Sequence, residues 1–376
     1  MVEEGIAEAT DTALDEVRLA NNRLGDLSRI AIAARQGLLH EIEARLFHPM
    51  DFMLAKPLDS IDDLANPADW WIEDKYDGFR SQVHVDNGRV MIFTRGMEDV
   101  TEAFPDIVEA FKTASGASVI DGEILAWREN RALPFPVLQQ RIARKKLTAD
   151  LIARVPVTFM AYDILYRDGN MLIGEPVEER RRILEEAIAG LPVLVAPQWS
   201  STSPGEVEQA FHAARERGNE GLVIKRKGSA YEPGKRSGTW MKIKRPHGTL
   251  DVVVTAAEQG TGRRAIYLSD YTFAVRDGDR YLNVGKAYSG LKDEEVRELS
   301  RILRGLATER FGKVVLVRPE VVLEVAFDGV QKSPRHKSGY ALRFPRILRW
   351  RRDKRTDESD TLDRVKELYE TSLTGL

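Results

Sequence analysis

The amino-acid sequence predicts an α+β domain built on antiparallel sheets, with a small β-barrel of the OB-fold type after it and a short helical segment before it. Up to about residue 245, strand-like and helix-like segments mix without the regular repeat that a doubly wound parallel sheet requires. After Pro246, about five short alternating segments surround one helix, as in a small barrel. The predicted boundaries are therefore 1–48, 49–245 and 246–376.

Residues 1–48 are predicted to be helical. Ala, Leu, Ile, Glu and Arg dominate this segment, and apolar residues such as Ile30 and Ala34 recur at helical spacing. Gly25 and Gly37 are expected to interrupt the helices. So short a segment offers little chain for an independent core.

The α+β domain is predicted from apolar residues that alternate in strands and recur every three to four positions in helices. Asn87-Gly88, a dipeptide typical of tight hairpins, joins two of the strands. The predicted strands are Trp70–Glu73, Ser81–Val85, Arg89–Thr94, Val119–Trp127, Val157–Leu165, Gly221–Lys225 and Trp240–Lys244. The predicted helices are Glu102–Ala114, Phe135–Lys146, Val177–Ala189 and Glu206–Arg217.

The barrel domain is predicted to follow a hinge at Pro246-His247-Gly248. One helix, Asp293–Arg310, interrupts its strands, and Asp360–Thr371 is expected to form a final helix. The predicted strands are Leu250–Glu258, Ala265–Val275, Tyr281–Val284 and Val321–Phe327.

Composition excludes several classes of protein. The chain has 376 residues, a net charge of −3 and no cysteine. The lack of cysteine excludes a disulfide framework, a cysteine zinc site and thiol catalysis, and it fits a reducing compartment. No apolar run is long enough to span a bilayer, and Met1–Asp15 lacks the pattern of a secretory signal. We therefore expect a cytoplasmic protein without a membrane partner, associated with the nucleoid if it is prokaryotic.

A basic run near the C-terminus departs from the mildly acidic average of the chain. Between residues 335 and 355 the only acid is Asp353. Such a run is often a solvated face, but the interleaved Tyr340, Phe344 and Trp350 favour a surface that binds phosphates. The cations are Arg335, Lys337, Arg343, Arg346, Arg349, Arg351, Arg352, Lys354 and Arg355.

The central chemical signal is the hexapeptide Lys75-Tyr76-Asp77-Gly78-Phe79-Arg80. A lysine beside a glycine turn can approach a phosphate closely, because glycine has no Cβ in the way. Neighbouring cations or desolvation free a lysine amine to act as a nucleophile. Taken alone, the hexapeptide is explained equally well as a solvated turn.

Together with motifs elsewhere, Glu73–Arg80 resembles the nucleotidyl-acceptor motif of ATP-dependent DNA ligases and of their relatives, the RNA ligases and mRNA capping enzymes. The other motifs of this family follow in the family's order over roughly residues 52–355, and their order makes the joint signal specific. They are Thr94-Arg95-Gly96, Asp121-Gly122-Glu123, Ala161-Tyr162-Asp163-Ile164-Leu165-Tyr166, Glu220-Gly221-Leu222-Val223-Ile224-Lys225, Trp240-Met241-Lys242-Ile243-Lys244, and Leu342-Arg343-Phe344-Pro345-Arg346 running to Arg352-Asp353-Lys354.

The resemblance implies a nucleotidyltransferase (adenylation) domain followed by an OB-fold domain. Residues 1–48 look like the tail of the helical DNA-binding domain that larger members place before the catalytic core. By the same resemblance, Lys75 attacks the α-phosphate of ATP and gives lysyl-AMP and pyrophosphate.

Cationic residues of the late motifs match phosphate-binding positions of the family. Lys242 and Lys244 match the residues that hold the α-phosphate, and their period-2 spacing puts both on one face of a strand. The alternative for these two is an edge strand with solvated lysines. Arg352 and Lys354 match the closing motif, which orients the leaving pyrophosphate.

Other motif residues match positions around the base, the ribose and the metal. Glu73 matches the residue that reads adenine, and Tyr162 the aromatic that stacks on it. Glu123 matches the acid that contacts the ribose. Glu123 and Glu220 match the carboxylates associated with Mg²⁺ or Mn²⁺, for which hard oxygen ligands are suited. The alternatives are a core aromatic for Tyr162 and a surface glutamate for Glu220. Asp74 is expected at the surface, because family members vary there.

Several arginines match contacts to phosphate or sugar. Arg80 and Arg95 match such contacts in the nucleotide and near the nick, with structural salt bridges as the alternative. Arg343 and Arg346 are predicted to bind DNA. None of the six histidines is assigned to metal or catalysis.

The family contains several chemistries, and the sequence favours one of them. NAD-dependent DNA ligases normally carry a cysteine zinc module, and capping enzymes use GTP, so ATP is the expected cofactor. Residues 340–346 look like those of a DNA ligase. We therefore expect a monomeric ligase that seals nicked double-stranded DNA through lysyl-AMP and DNA-adenylate. The alternatives are an RNA ligase or capping-type nucleotidyltransferase, and a non-catalytic DNA-end-binding protein on the same scaffold.

Overall fold

A computed structural model of the chain describes residues 1–142, 147–246 and 248–374. The chain divides into two units, Met1–Lys244 and Arg245–Leu376. The division precedes the predicted hinge at Pro246-His247-Gly248 by one residue, Gly248 begins a strand, and His247 lies outside the described residues.

The first unit begins with three helices, α1 (Val2–Thr10), α2 (Leu14–Leu24) and α3 (Leu27–Gln36). Gly25 and Gly37 end the second and the third helix with φ of 67° and 71°, as predicted from the sequence. Apolar residues of the three helices form a small core of their own. Helical structure in this segment ends with a 3-10 turn at Leu39–Glu41.

The rest of the first unit mixes strands and helices, as the sequence predicts. The strands are β1 (Lys56–Pro57), β2 (Trp70–Lys75), β3 (Phe79–Asp86), β4 (Arg89–Thr94), β5 (Ser118–Arg128), β6 (Arg131–Ala132), β7 (Val157–Arg167), β8 (Asn170–Met171), β9 (Leu194–Val195), β10 (Gln198–Ser200), β11 (Gly221–Arg226) and β12 (Trp240–Lys244). The helices are α4 (Pro105–Phe111), α5 (Phe135–Ile142), α6 (Ala149–Arg154), α7 (Val177–Ala187) and α8 (Pro204–Glu216).

These strands form two sheets. One has five strands in the order β1-β12-β11-β2-β10. The other has the order β4-β3-β5-β7-β8, with β6 beside β5 and β9 beside β7. Neighbouring strands are antiparallel except for two short pairs, β1 with β12 and β7 with β9. The predicted α+β fold with antiparallel sheets is confirmed.

The five-stranded sheet has one polar and one apolar face. Its register places Lys75 opposite Gly221 and Gly221 opposite Lys244, while Glu73 and Lys242 lie opposite Val223. Residues opposite each other in a sheet point to the same face, so these charged residues share one face. The other face packs on α8 through a core that contains Ile72, Val207, Phe211, Ala214, Leu222, Ile224 and Ile243.

The seven-stranded sheet contains a bulge in β7. Asp121 pairs with Asp163 and Gly122 pairs with Ala161, so Tyr162 is the extra residue between them. A bulge re-aims the side chain of the residue it contains. The hairpin of β3 and β4 turns at Asn87 and Gly88, as predicted.

Two predicted helices of this unit differ from the observed ones. In place of Glu102–Ala114, a 3-10 turn at Thr101–Ala103 precedes α4, which begins at Pro105 because proline suits the first helical turn. The helix predicted at Phe135–Lys146 is observed as α5, and residues 143–146 lie outside the described residues.

The second unit is a strand-rich barrel domain. Its strands are β13 (Gly248–Gln259), β14 (Leu268–Asp277), β15 (Arg280–Ala287), β16 (Ala307–Phe311), β17 (Val314–Val317), β18 (Val322–Phe327), β19 (Gly329–Lys332), β20 (Tyr340–Arg343) and β21 (Arg346–Trp350). Its helices are α9 (Asp293–Gly305) and α10 (Leu362–Thr374). The long strand β13 pairs with β14 on one edge and with both β17 and β18 on the other. A large apolar core lies inside this unit.

The helix predicted at Asp293–Arg310 is wrong over its last residues. Helix α9 ends at Gly305, and the chain continues as β16, which pairs with β17. The helical pattern in the sequence extends past Gly305 because Leu306 is apolar and in register with the helix. The residues after it form a strand instead, because they pair with β17. The sequence analysis also did not predict the short strands β16, β17, β19, β20 and β21.

Candidate active site

An ion-paired cluster lies at the end of β2 in the first unit. The Nζ atom of Lys75 lies 2.6 Å from Oε2 of Glu220, and Nζ of Lys244 lies 3.1 Å from Oε1 of the same carboxylate. The backbone N–H of Glu220 donates to the carbonyl of Lys75 over 2.7 Å. Burial alone would raise the pKa of Glu220, but the two lysines outweigh burial and lower that pKa below its usual range.

Lys242 adds to the positive charge of this cluster. Partial burial lowers the pKa of its amine, and the nearby charges of Lys75, Arg236 and Lys244 lower it further. Four cations therefore surround one place on the polar face of the sheet. Such a concentration of cations suits a polyphosphate, whose negative charge would relieve their mutual repulsion.

The turn after Lys75 packs directly on β5. A Cβ atom at Gly78 would lie 2.6 Å from Cγ of Glu123 and 2.6 Å from the carbonyl oxygen of Ile124. Only glycine fits so close to another backbone. The sequence predicted that this glycine serves the approach of a phosphate, and the structure gives it a packing role that sets the distance between the turn and the strand of Glu123.

Glu123 is a partly buried residue whose carboxyl lies beside the cluster. Burial raises the pKa of Glu123 to about 8, although the charges of Lys75 and Arg80 partly offset this effect. The described part of the chain offers its carboxylate neither a hydrogen bond nor an ion pair. A partly buried carboxyl in this state fits an added cation or a hydroxyl group of a ligand.

A second buried pair lies farther along the same face of the sheet. Lys225 Nζ lies 2.9 Å from Oε1 of Glu73, and Gln198 donates to the same oxygen over 3.0 Å. Lys225 also donates to the carbonyl of Tyr162 over 2.8 Å. The ring of Tyr162 meets Trp240 edge-on at 6.4 Å between centroids. Glu73 and Tyr162, both predicted at the adenine, are thereby brought together by Lys225, a residue to which the sequence assigned no role.

Arg80 is held by a network on the other sheet. Its guanidinium donates to both oxygens of Asp121, over 3.2 and 2.8 Å, and to the carbonyl of Met53 over 2.7 Å. The hydroxyl of Tyr231 donates to Asp121 over 2.8 Å. The structure therefore contains the salt bridge that was the alternative reading for Arg80. The sequence assigned no role to Asp121, which accepts the hydrogen bonds of Arg80. Its position two residues before Glu123 was the available signal, because alternate residues of a strand point to the same face.

The expectation that Asp74 lies at the surface is wrong. Its side chain is 8% exposed and pairs with Arg217. Asp74 sits on the face of β2 that is covered by α8, so tertiary packing buries it. Arg95, by contrast, is exposed in the turn after β4.

Three of the predicted cations of the second unit are paired with acids. Arg346 lies 3.3 Å from Asp328, Arg352 lies 2.6 Å from Glu298 and 4.0 Å from the ring centre of Trp350, and Lys354 lies 2.6 Å from Asp251. Arg343 ends β20 beside Phe344, which is 68% exposed and has a φ of 47°. The basic run therefore keeps part of its charge neutralised by acids from elsewhere in the unit.

Two kinds of feature are absent from the described residues. They contain no group of three or more His, Cys, Asp or Glu side chains arranged to hold a metal ion. Among the described helices, none has both the length and the apolar character that crossing a bilayer requires.

Comparison with known protein families matches most of the chain. The ATP-dependent DNA ligase domain matches residues 52–244, and the ATP-dependent DNA ligase C-terminal region matches residues 264–354. The first match contains the cluster around Lys75, and the second contains the cations at Arg343, Arg346, Arg352 and Lys354.

Individual relatives give the same result. A probable DNA ligase of Koribacter versatilis is 45% identical over 98% of this chain and 68% of its own length. A DNA ligase of Methanothrix thermoacetophila is 38% identical over 98% of this chain and 67% of its own length. A solved structure of a Lig E DNA ligase is 22% identical, covers 80% of this chain and 99% of that chain, and has a TM-score of 0.57. This structural likeness concerns the fold alone, and it agrees with the predicted α+β domain followed by an OB-fold domain.

Proposed function

Because this chain belongs to the family of ATP-dependent DNA ligases, we propose that Lys75 takes the adenylyl group from ATP and passes it to a nick in double-stranded DNA. The observation that carries this proposal is the cluster at the end of β2. There, Lys75 lies against Glu220 with Lys244 on the same carboxylate and Lys242 on the same face. We assign residues 49–245 to the adenylation domain and residues 246–376 to the OB-fold domain.

In the first step, the amine of Lys75 attacks the α-phosphorus of ATP. A nitrogen–phosphorus bond forms, and the bond to the leaving pyrophosphate breaks. The attacking amine must lose its proton before it attacks. Glu220, 2.6 Å away, orients the amine. Because the lysines hold the pKa of this carboxylate below its usual range, the proton leaves to water instead of staying on Glu220. Lys242 and Lys244 offset the charge on the phosphate oxygens. Charges fixed in such a site stabilise a transition state more strongly than the same charges would in water.

The site fits a divalent cation, Mg²⁺ or Mn²⁺. Glu123 and Glu220 would hold it, and it would supply positive charge beside the phosphate oxygens. Glu123 supports this assignment because its partly buried carboxyl has a raised pKa and makes neither a hydrogen bond nor an ion pair among the described residues. Two carboxylates are enough for magnesium, which commonly keeps water and substrate phosphates as its other ligands.

The buried pair beside Tyr162 supports ATP as the nucleotide. A carboxylate can only accept hydrogen bonds, so Glu73 suits the amino group of adenine and opposes the carbonyl oxygen that guanine carries at the same position. Tyr162 offers its ring for stacking on the base. The alternative of a GTP-dependent capping-type enzyme is not favoured.

The later steps use the DNA. AMP moves from Lys75 to the 5′-phosphate at the nick, and the 3′-hydroxyl then attacks that phosphate and releases AMP. Arg80, Arg95, Arg343 and Arg346 are proposed to contact phosphate or sugar during these steps, since cations supply most of the affinity for a DNA backbone. We propose that the chain acts as a monomer, which sedimentation of the protein alone and with nicked duplex would test.

The test of the proposed function is covalent labelling with ATP that carries a radioactive α-phosphate. Folded wild-type protein should gain a label that survives denaturation, and Lys75→Ala should gain none. Lys75→Arg should also fail, because a guanidinium is not deprotonated in proteins. Lys227→Ala is a matched control, since this lysine lies over Trp71 outside the cluster, and it should label normally.

The other outcomes separate the alternatives. Label on Lys75→Ala would refute the assignment of the nucleophile. Folded wild-type protein that takes no label yet binds nicked DNA would be a non-catalytic end-binding protein. Efficient labelling by GTP alone would indicate a capping-type enzyme, and sealing of RNA nicks alone would indicate an RNA ligase.

A further inference from the structure

Asp74 connects the strand of the nucleophile to another part of the domain. It lies between Glu73 and Lys75, and strand alternation turns its side chain to the opposite face of the sheet. There its carboxylate accepts two hydrogen bonds from the guanidinium of Arg217, over 2.9 and 2.8 Å. It accepts a third from the side-chain amide of Asn219 over 2.8 Å.

Arg217 and Asn219 belong to the turn that delivers Glu220. Helix α8 ends at this turn, where Gly218 has a φ of 82° and the N–H of Asn219 donates to the carbonyl of Ala214 over 3.0 Å. This is the pattern of a helix that stops at a left-handed glycine. The next residue, Glu220, begins the pairing of β11 with β2 by donating its N–H to the carbonyl of Lys75.

The backbone of the turn at Glu220 is thus held by two neighbouring residues of β2. The backbone of Lys75 holds the N–H of Glu220, and the side chain of Asp74 holds the two preceding polar residues of the turn. We propose that Asp74, Arg217 and Asn219 form a positioning latch that keeps the carboxylate of Glu220 against the amine of Lys75. This inference rests on the proposed function, because it concerns the geometry of the adenylyl-transfer step.

The chemistry of the latch favours positioning over plain stabilisation. A paired arginine–carboxylate contact sets orientation as well as distance. The side chain of Arg217 is 51% exposed and that of Asp74 is 8% exposed. Asp74→Ala removes the buried charge and should therefore cost less stability than Arg217→Ala, which leaves that charge without its arginine. Asp74→Ala should therefore leave the domain folded while it frees the turn that carries Glu220. Small misplacements of a reacting group have large effects on rate.

The decisive experiment is a double-mutant cycle on the rate of lysyl-AMP formation. Asp74→Ala and Arg217→Ala are each made alone and together with Glu220→Gln, and folding is checked by thermal unfolding. Each single variant should slow labelling on the order of 10-fold. In the Glu220→Gln background the same substitutions should cost less than about 2-fold, because residues that act through one another are not additive. Asp74→Asn keeps one acceptor oxygen and should lose less than Asp74→Ala.

Glu206→Ala is the matched control. Glu206 holds the residues before α8 by side-chain hydrogen bonds, as Asp74 holds the residues after it. Its carboxylate accepts hydrogen bonds from Ser201 and Thr202 over 2.9 and 2.8 Å. Loosening that end should leave the magnesium requirement of labelling unchanged. For Asp74→Ala and Arg217→Ala, the concentration of magnesium that gives half the maximal rate should rise several-fold. This magnesium concentration can be measured even if Glu220→Gln labels too slowly for the double-mutant cycle.

Two results would overturn the latch. One is an equal loss for Asp74→Ala with and without Glu220→Gln, and the other is a magnesium requirement that matches the wild type. Failure of the proposed function is distinguishable from both, because the wild-type protein itself would then take no label.

Discussion

The Nζ atom of Lys225 lies 2.9 Å from Oε1 of Glu73, and both side chains are buried, at 1% and 3% exposure. Burial raises the pKa of Glu73, and the charge of Lys225 opposes this rise. Removing one partner of a buried ion pair leaves the other charge buried and uncompensated, which is strongly destabilising. Lys225 therefore keeps Glu73, the residue proposed to read the base, in its ionised form. The preference for adenine then depends on a lysine that need not touch the nucleotide.

Lys225→Met should weaken both the fold and the choice of base. Glu73 would remain buried without its partner, which destabilises a protein by ~3–5 kcal/mol. A carboxyl that takes up a proton to escape this cost can donate a hydrogen bond to guanine. The preference for ATP over GTP should therefore fall on the order of 10-fold, as measured by labelling with each nucleotide.

Lys227→Met is the control for this prediction. It makes the same change at a partly exposed cation over Trp71 and should alter neither stability nor base choice. An unchanged ratio of ATP to GTP labelling in folded Lys225→Met would show that Lys225 does not set the charge of Glu73.

Glu123 should make stability depend on pH. Its folded pKa is raised from 4.5 to about 8, so the folded protein holds this proton more tightly than the unfolded chain does. The contribution of Glu123 to stability is complete below its pKa in the unfolded chain, 4.5, and it is lost as the pH rises from there to about 8. Relative to Glu123→Gln, the free energy of unfolding of the metal-free wild type should fall by at most ~1.4 kcal/mol per pH unit over this window, as measured by urea unfolding.

Magnesium should reverse that trend. Cation binding requires the ionised carboxylate, so added Mg²⁺ should stabilise the wild type more at about pH 8 than at about pH 6. Glu123→Gln should show little of this dependence. An equal pH-dependent response in both proteins would assign the effect to other groups.

Gly78→Ala should damage the site more than an ordinary glycine substitution. The new Cβ would meet Glu123 and the carbonyl of Ile124 at 2.6 Å, so the turn after Lys75 must move away from β5. We expect lysyl-AMP formation to fall by on the order of 100-fold, since a displacement of about 1 Å can have this effect. Gly174→Ala, where a Cβ would meet nothing within 4 Å, should retain the wild-type rate. Comparable rates for the two variants would contradict a packing role for Gly78.

Arg352→Ala and Lys354→Ala should block only the first step. By the family resemblance these cations act on the leaving pyrophosphate, so lysyl-AMP formation should fall while sealing of a nick that is already adenylated continues. Arg349→Ala removes another cation of the basic run, paired with Glu324, and should leave lysyl-AMP formation unchanged. Normal lysyl-AMP formation by Arg352→Ala, with failure on both kinds of nick, would show that Arg352 only holds DNA.

The sequence by itself determined the local parts of this protein. The alternation of Lys242 and Lys244, the Asn87-Gly88 turn and the glycines that end α2 and α3 are properties of neighbouring residues, so periodicity and turn chemistry revealed them. The order of motifs along the chain also identified the family and the lysine on which the proposed chemistry depends.

Only the tertiary structure decided which charges meet. Glu220 pairs with Lys75 across 145 positions of sequence, Asp74 with Arg217 across 143, and Glu73 with Lys225 across a sheet whose register no local pattern encodes. The same holds for the basic run, which appeared almost free of acids in sequence and is paired with Asp251, Glu298, Glu324 and Asp328 in the fold. Strand pairing and burial bring these partners together, and their interaction energies depend on a distance and a local dielectric that exist only in the folded chain.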